Sequence, residues 1–128
     1  MSGRAEAILS GLRQAALEGR LHHAYLLTGP ETRLKTDTAE RLAASFTLSE
    51  GAGEDAVVER IGRGNHPDFI RLTPENELIN VEAVRSLPKA LSFPPLELGR
   101  RVVLIEGAQG LNVQASNALL KILEEPPA

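Results

Sequence analysis

The sequence predicts an α/β domain built as a three-layer parallel sheet. Short aliphatic runs alternate with stretches of helical periodicity, aromatic residues are scarce, and cysteine is absent. At 128 residues the chain fits one domain with a real core. Hydrophobic residues make up 42% of it but include only three Phe and one Tyr, so Leu, Ile, Val and Ala must fill that core. Without cysteine, disulfides and thiolate metal sites are ruled out and an oxidising compartment is not indicated. Fourteen basic against seventeen acidic residues give a formal charge of −3, which argues against strong nucleic-acid binding by this domain alone. No charged-then-apolar leader opens the chain, and no apolar run approaches the roughly 18 residues of a membrane span. The expectation is a soluble, cytoplasmic protein with no membrane contact.

The elements follow from periodicity. From Arg4 to Glu18, Ile8, Leu12 and Ala15 recur at helical spacing until Gly19 stops the pattern. Ala24-Tyr25-Leu26-Leu27-Thr28 is an apolar run ending at Gly29-Pro30, the pattern of a buried strand feeding a tight loop. Ala39, Leu42, Ala43 and Phe46 place a second helix over about Lys35 to Phe46. A weaker helix covers Asp55 to Ile61, a polar loop Gly62 to Asp68, and Phe69 to Leu72 reads as a strand. Asn80 caps a helix carrying Val81, Val84 and Leu87, which Pro88 should end or kink because an interior proline loses a backbone donor. Pro94-Pro95 leads into loop. Arg101 to Glu106, with four consecutive aliphatics, is the strongest strand signal and reads as buried on both faces. Asn112 caps a last helix from Val113 to about Glu124, with Ala115, Leu119, Ile122 and Leu123 inward and Asn117 and Lys121 outward. Strands alternating with helices imply parallel pairing through right-handed crossovers. About three core strands are fewer than the five or so of a doubly wound sheet, so the chain reads as a truncated part of such a domain.

Strand, loop and helix at Leu26 to Thr36 occupy the places of a Walker A motif, which needs glycine, four free positions, glycine, lysine and serine or threonine. Gly29, Lys35 and Thr36 fit. Leu34 stands where the second glycine must turn freely and approach phosphate without a side chain. Thr32 replaces a further glycine, and Glu31 brings a carboxylate beside the phosphate position. An ordinary turn at Gly29-Pro30 followed by an ordinary helix start at Lys35-Thr36 is the alternative reading. The strand 101–106 matches a Walker B element: Glu106 supplies its metal-associated acid or is simply a strand-end surface charge. Gly107 stands where a second carboxylate would polarise the attacking water.

The segment from Ala108 to Ala128 is where a resemblance becomes specific. Asn117-Ala118-Leu119-Leu120-Lys121 followed by Leu123-Glu124-Glu125-Pro126-Pro127 resembles the subunits of bacterial clamp loaders, which are AAA+ modules of the P-loop NTPase type. Leu21 to Leu27, His66-Pro67-Asp68, Val81 to Arg85 and Gly99 to Val103 extend the likeness over nearly the whole chain from about Gly11. The two departures in the phosphate and acid motifs are similar to the delta-prime branch of the DNA polymerase III clamp loader, whose phosphate loop is commonly degenerate. The resemblance implies that residues 1–128 are the N-terminal part of an AAA+ domain. It implies a non-catalytic role without bound cofactor or metal, and no ATPase activity of its own beyond membership in the polymerase holoenzyme. Implied partners are the gamma/tau and delta subunits, with DNA and the sliding clamp reached through the assembled complex. An active gamma/tau-like ATPase motor is the alternative. Asn117, Lys121, Glu124, Glu125 and Pro126 are its family signature residues. Lys121 reads either as a DNA phosphate contact in the complex or as a solvated helix face.

Many relatives carry four zinc-binding cysteines before the His66 loop. Residues 47–64 therefore resemble a remnant of that module, its helix either held by Val57, Val58 and Ile61 or mobile. His22 and His23 point apart in an extended segment with no acid or cysteine beside them, and His66 is assigned no chemistry. Elemental analysis should find no stoichiometric zinc, and a chelator should leave the melting temperature unchanged; a chelator-induced drop would refute this.

Overall fold

The computed structural model describes residues 3–22, 24–27, 32–47 and 53–124. It has a mixed helix and strand fold around a small parallel sheet. Helix α1 spans Gly3–Leu17, α2 Thr32–Ala44 and α3 Glu54–Gly62. Strand β1, Phe69–Leu72, is followed by α4, Val81–Arg85, and α5, Leu87–Leu91. Strand β2, Val102–Ile105, is followed by a 3₁₀ turn at Ala108–Gly110 and by α6, Val113–Glu124. Among the described residues no helix is long and apolar enough to cross a membrane.

β1 and β2 pair in parallel, Phe69 opposite Val102 and Leu72 opposite Ile105. Because side chains alternate along a strand, the two faces of this ribbon serve different clusters. Phe69 and Val102 join Ala43, Ala44, Val57, Ile61 and Leu98, which ties the sheet to α2 and α3. Leu72 and Ile105 join Ile79, Val84, Ala115, Leu119 and Ile122, which ties it to α4 and α6. Helices thus lie against both faces. The expected burial of the second strand on both faces is corrected, however: all four of its residues are only half-buried, because only one of its edges is paired among the described residues.

Other expectations also shift. Ala24 to Leu27 form no strand; Tyr25 and Leu26 are 46% and 78% exposed. An extended apolar segment becomes a strand only when a neighbour takes its backbone hydrogen bonds. β1 and β2 pair with each other, and among the described residues no backbone bond joins this segment to the outer edge of either strand. The sheet of the described residues therefore has two strands where about three were expected. In α1 the buried stripe is Ala5 and Leu9 rather than Ile8, which is 44% exposed. The helix carries apolar residues on more than one side, and packing on α2 selects the stripe that also brings Arg13 onto Glu54 of α3. α3 is held as the pattern suggested, by Val57 and Ile61 fully buried with Val58 beside them.

The helix caps are local and chemical. Asn80 accepts from the Glu82 N–H at 2.8 Å, and Asn112 from the Ala115 N–H at 2.8 Å, each satisfying a donor that the first helical turn leaves open. The chain breaks at Ser86, and Pro88 then takes the second position of α5, where its missing N–H costs nothing.

The residues 62–68, expected as a polar loop, contain the most deeply buried charge in the molecule's described part. Asp68 is wholly inaccessible. Its carboxylate accepts from the backbone N–H groups of Leu96 (2.8 Å), Glu97 (2.6 Å) and Leu98 (2.8 Å). The Arg101 guanidinium lies 3.8 Å away. The Asp68 N–H donates to Nδ1 of the buried His66 at 3.1 Å, and the Asp68 carbonyl accepts from Val102 N at 2.9 Å. One residue therefore fixes the start of β1, the loop before β2 and the start of β2. Burial opposes the Asp68 charge, but the three N–H donors and nearby His66 outweigh it and hold the carboxyl below its ordinary pKa. Its contribution is thus complete above the unfolded carboxylate pKa of about 4 and disappears as pH falls through the lower folded value. Asp68→Ala should cost at least about 3 kcal/mol in urea unfolding at neutral pH, since it strands buried donors. The difference between wild type and variant should shrink on acidification below about pH 4.

Candidate functional site

The site lies where both strands end. The Glu106 N–H donates to Leu72 O at 2.9 Å, extending the ladder by one step past β2 and fixing the carboxylate beside β1. Arg71, at the third position of β1, donates through one guanidinium nitrogen to Glu106 and through the other to Glu40 of α2. All three side chains are largely withdrawn from water: Glu40 is 10% exposed, Arg71 26% and Glu106 23%. The Phe69 ring, two residues earlier on the same face of β1, lies 5.3 Å from the guanidinium carbon and supports it from below. Burial works against the Arg71 charge, but the hydrogen bonds and charges of Glu40 and Glu106 prevail and raise its pKa above the ordinary arginine value. The guanidinium is therefore a permanent cation between two acids. A cleft of about 190 Å³, lined by Arg71, Thr73, Asn80 and Ala83 among others, opens beside it.

The next residue explains itself by backbone geometry. Gly107 sits at φ 63°, ψ 53°, in the left-handed region. A β-carbon built there would lie 3.0 Å from Pro74 Cγ. Both conditions favour glycine, because L-residues pay a steric penalty in this region and the proline ring cannot swing away as a flexible side chain would. The turn that follows closes with Gly110 N donating to Gly107 O at 2.8 Å and delivers the chain to the Asn112 cap of α6.

Facing this turn is a tight hairpin that the sequence did not announce. Glu75 and Leu78 exchange backbone hydrogen bonds of 2.8 and 3.0 Å, and the two residues between them, Asn76 and Glu77, have φ of 51° and 68°. Asn tolerates this conformation; Glu carries no such signal. Ile79 N donates to Gly110 O at 2.9 Å, so hairpin and turn form one unit.

The residues assigned from sequence fall as follows. Thr32 opens α2, and Leu34, Lys35 and Thr36 lie within it; the Leu34 carbonyl accepts from the Thr38 hydroxyl at 2.7 Å. The helix thus starts three residues before the expected Lys35, and Thr32 and Leu34 belong to its first turn rather than to a loop. Nothing between Thr32 and Thr36 is a glycine or proline that would hold off helix formation. Gly29 and Glu31 lie outside the described residues, as do His23, Glu125, Pro126 and Pro127. Thr36 stands one turn before Glu40, so α2 brings the Walker-A-like residues and the Arg71 cluster onto one element. Asn117, Lys121 and Glu124 are exposed on α6. His22 is exposed, its ring centroid 5.8 Å from that of Tyr25. Glu40 and Arg71 were not foreseen. The available signal was an arginine inside a four-residue strand otherwise made of Phe, Ile and Leu.

The chain belongs to a family of DNA polymerase III proteins. Over residues 4–128 the chain matches the family described as DNA polymerase III, delta subunit, and it is a member of that family. It is 41% identical over 111 residues to the DNA polymerase III subunit delta' of Pseudomonas aeruginosa, a match covering 81% of this chain and 34% of that protein. To the subunit delta' of Bacillus subtilis it is 37% identical over 111 residues, 84% of this chain and 34% of that one. The Bacillus subtilis subunit tau is 32% identical over 127 residues, 95% of this chain and 22% of tau. The chain spans about a third of the length of the delta' relatives it matches.

Gly107→Ala should destabilise the chain by about 1–2 kcal/mol, from the left-handed backbone and the contact with Pro74 together. In a Pro74→Ala background the same change should cost less, and urea titration of the four proteins measures the difference.

Proposed function

We propose that the chain is the N-terminal part of a non-catalytic clamp-loader subunit of the delta-prime type, which helps assemble the complex that loads the sliding clamp onto primed DNA. The observation that carries this reading is Gly107. Hydrolysis by an AAA+ site needs a carboxylate after the metal-associated acid, and here that position has a left-handed backbone closed off by Pro74. Glu106, the acid before it, is already engaged by Arg71. On the phosphate side, Leu34 in the first turn of α2 supports the same reading, because a side chain there stands where the motif's second glycine lets the backbone approach phosphate. The complete P-loop arrangement, with residues 29–36 as a degenerate phosphate loop and 47–64 as a former zinc module, belongs to this proposal.

Its partners would be the gamma/tau and delta subunits, with clamp and DNA met through the complex; the formal charge of −3 favours indirect rather than independent DNA contact. The similarity to tau extends over 95% of the chain and supports the rival reading, an active motor subunit. Gly107 favours the first.

Co-purification with the motor, delta and clamp proteins of the same organism tests the assembly role, and magnesium-dependent ATP turnover by the chain above a buffer blank would overturn the non-catalytic one. Leu34→Gly with Thr32→Gly should lower stability by on the order of 1 kcal/mol per glycine while adding weak ADP–magnesium affinity, with hydrolysis still absent. Calorimetric titration of both forms decides this; tight nucleotide binding by the unmodified chain would refute it.

A further inference from the structure

The Arg71 guanidinium has a more specific meaning than a structural ion pair. It is the only cation that touches Glu106 among the described residues, and it reaches Glu40 at the same time. Two carboxylates from separate elements, both mostly withdrawn from solvent, are expensive to keep ionised side by side without a positive charge between them. In an acid pair of this kind a hard divalent cation with oxygen ligands would supply that charge. Here an arginine does, held from below by Phe69 and fixed to the sheet by the β1 backbone.

We propose that Arg71 is a built-in counter-cation that occupies the place of a divalent metal at the end of β2, closing Glu106 and Glu40 to magnesium or manganese. The inference rests on reading Glu106 as a Walker-B-type acid and adds a positioning residue to it. A guanidinium satisfies both acids through fixed, charge-assisted hydrogen bonds, cannot lose its proton at physiological pH and cannot dissociate. The acid is thereby withheld from metal whether or not nucleotide is near. The consequence is a second barrier to catalysis independent of Gly107.

Manganese is the probe, added without nucleotide to the full-length chain, with paramagnetic broadening of backbone amide signals as the readout. Wild type should show no broadening centred on Leu72, Glu106 and Gly107. Arg71→Met should gain it, with an apparent affinity at least about tenfold above wild type. Adding Glu106→Gln to that variant should abolish the gain, and Arg71→Lys, which keeps the charge, should stay close to wild type. A merely structural role for Arg71 would change the melting temperature but confer no local metal binding. Should Arg71→Met not fold, Arg71→Met with Glu40→Gln leaves one acid unpaired and should still broaden residues around Glu106. Wild-type broadening at Glu106, or a folded variant of either kind without a gain, would overturn the proposal. ATP turnover by the wild-type chain would instead overturn the non-catalytic reading, so the two failures are separate observations.

Discussion

A single carboxylate determines how the chain closes on itself. Asp68 stands at the threshold of β1 and receives three consecutive backbone N–H groups from the loop 28 to 30 residues further on. Leu98 is fully buried, so its N–H has no water to turn to, and the Arg60–Glu97 ion pair holds the same loop from outside. By placing the loop, Asp68 also places Val102, whose N–H bonds back to the Asp68 carbonyl and starts the parallel register. Everything that follows β2, including Glu106, the left-handed glycine and the capped α6, inherits its position from that start. Parallel strands need a long connection between them, and closing one is entropically costly. A buried anion that grips both ends of the connection offsets much of that cost.

The second constraint acts at the opposite end of the strands. Arg71 joins α2 to both strands, so the helix that follows the phosphate-loop position cannot shift without breaking the Arg71–Glu40 pair, which is largely withdrawn from water. Such pairs contribute little net stability compared with apolar packing, but they are unforgiving of displacement because removing one partner strands the others. Together Asp68 and Arg71 hold the two ends of a sheet only four residues long, with an apolar cluster on each face between them.

What the sequence disclosed was local. Phe69 to Leu72, the short helix around Val57 and Ile61, and the Asn80 and Asn112 caps all depend on residues within a turn or two, and each stands where the pattern placed it. What stayed hidden depends on distant partners. Ala24 to Leu27 has the composition of a strand, yet strand formation requires a partner that takes up its backbone hydrogen bonds, which composition does not encode. Asp68 looked like loop polarity because its donors come from residues 96–98. Glu40 and Arg71 carried no reading at all, since neither announces the other across 31 positions. At the acid end of β2, the glycine was visible but its reason was not: the left-handed backbone and the Pro74 ring exist only in the folded chain.

That glycine also bears on how the turn would answer to substitution. A solvent-facing position with ordinary backbone angles accepts an acid at little cost. Position 107 is different, because its backbone is left-handed and a β-carbon there would press on the Pro74 ring at 3.0 Å. An acid introduced there would weaken the fold, in a molecule whose stability margin is expected to be roughly 5–15 kcal/mol. The turn therefore couples side-chain identity to backbone shape: an acid is accommodated there only with a compensating change, such as a smaller residue at position 74.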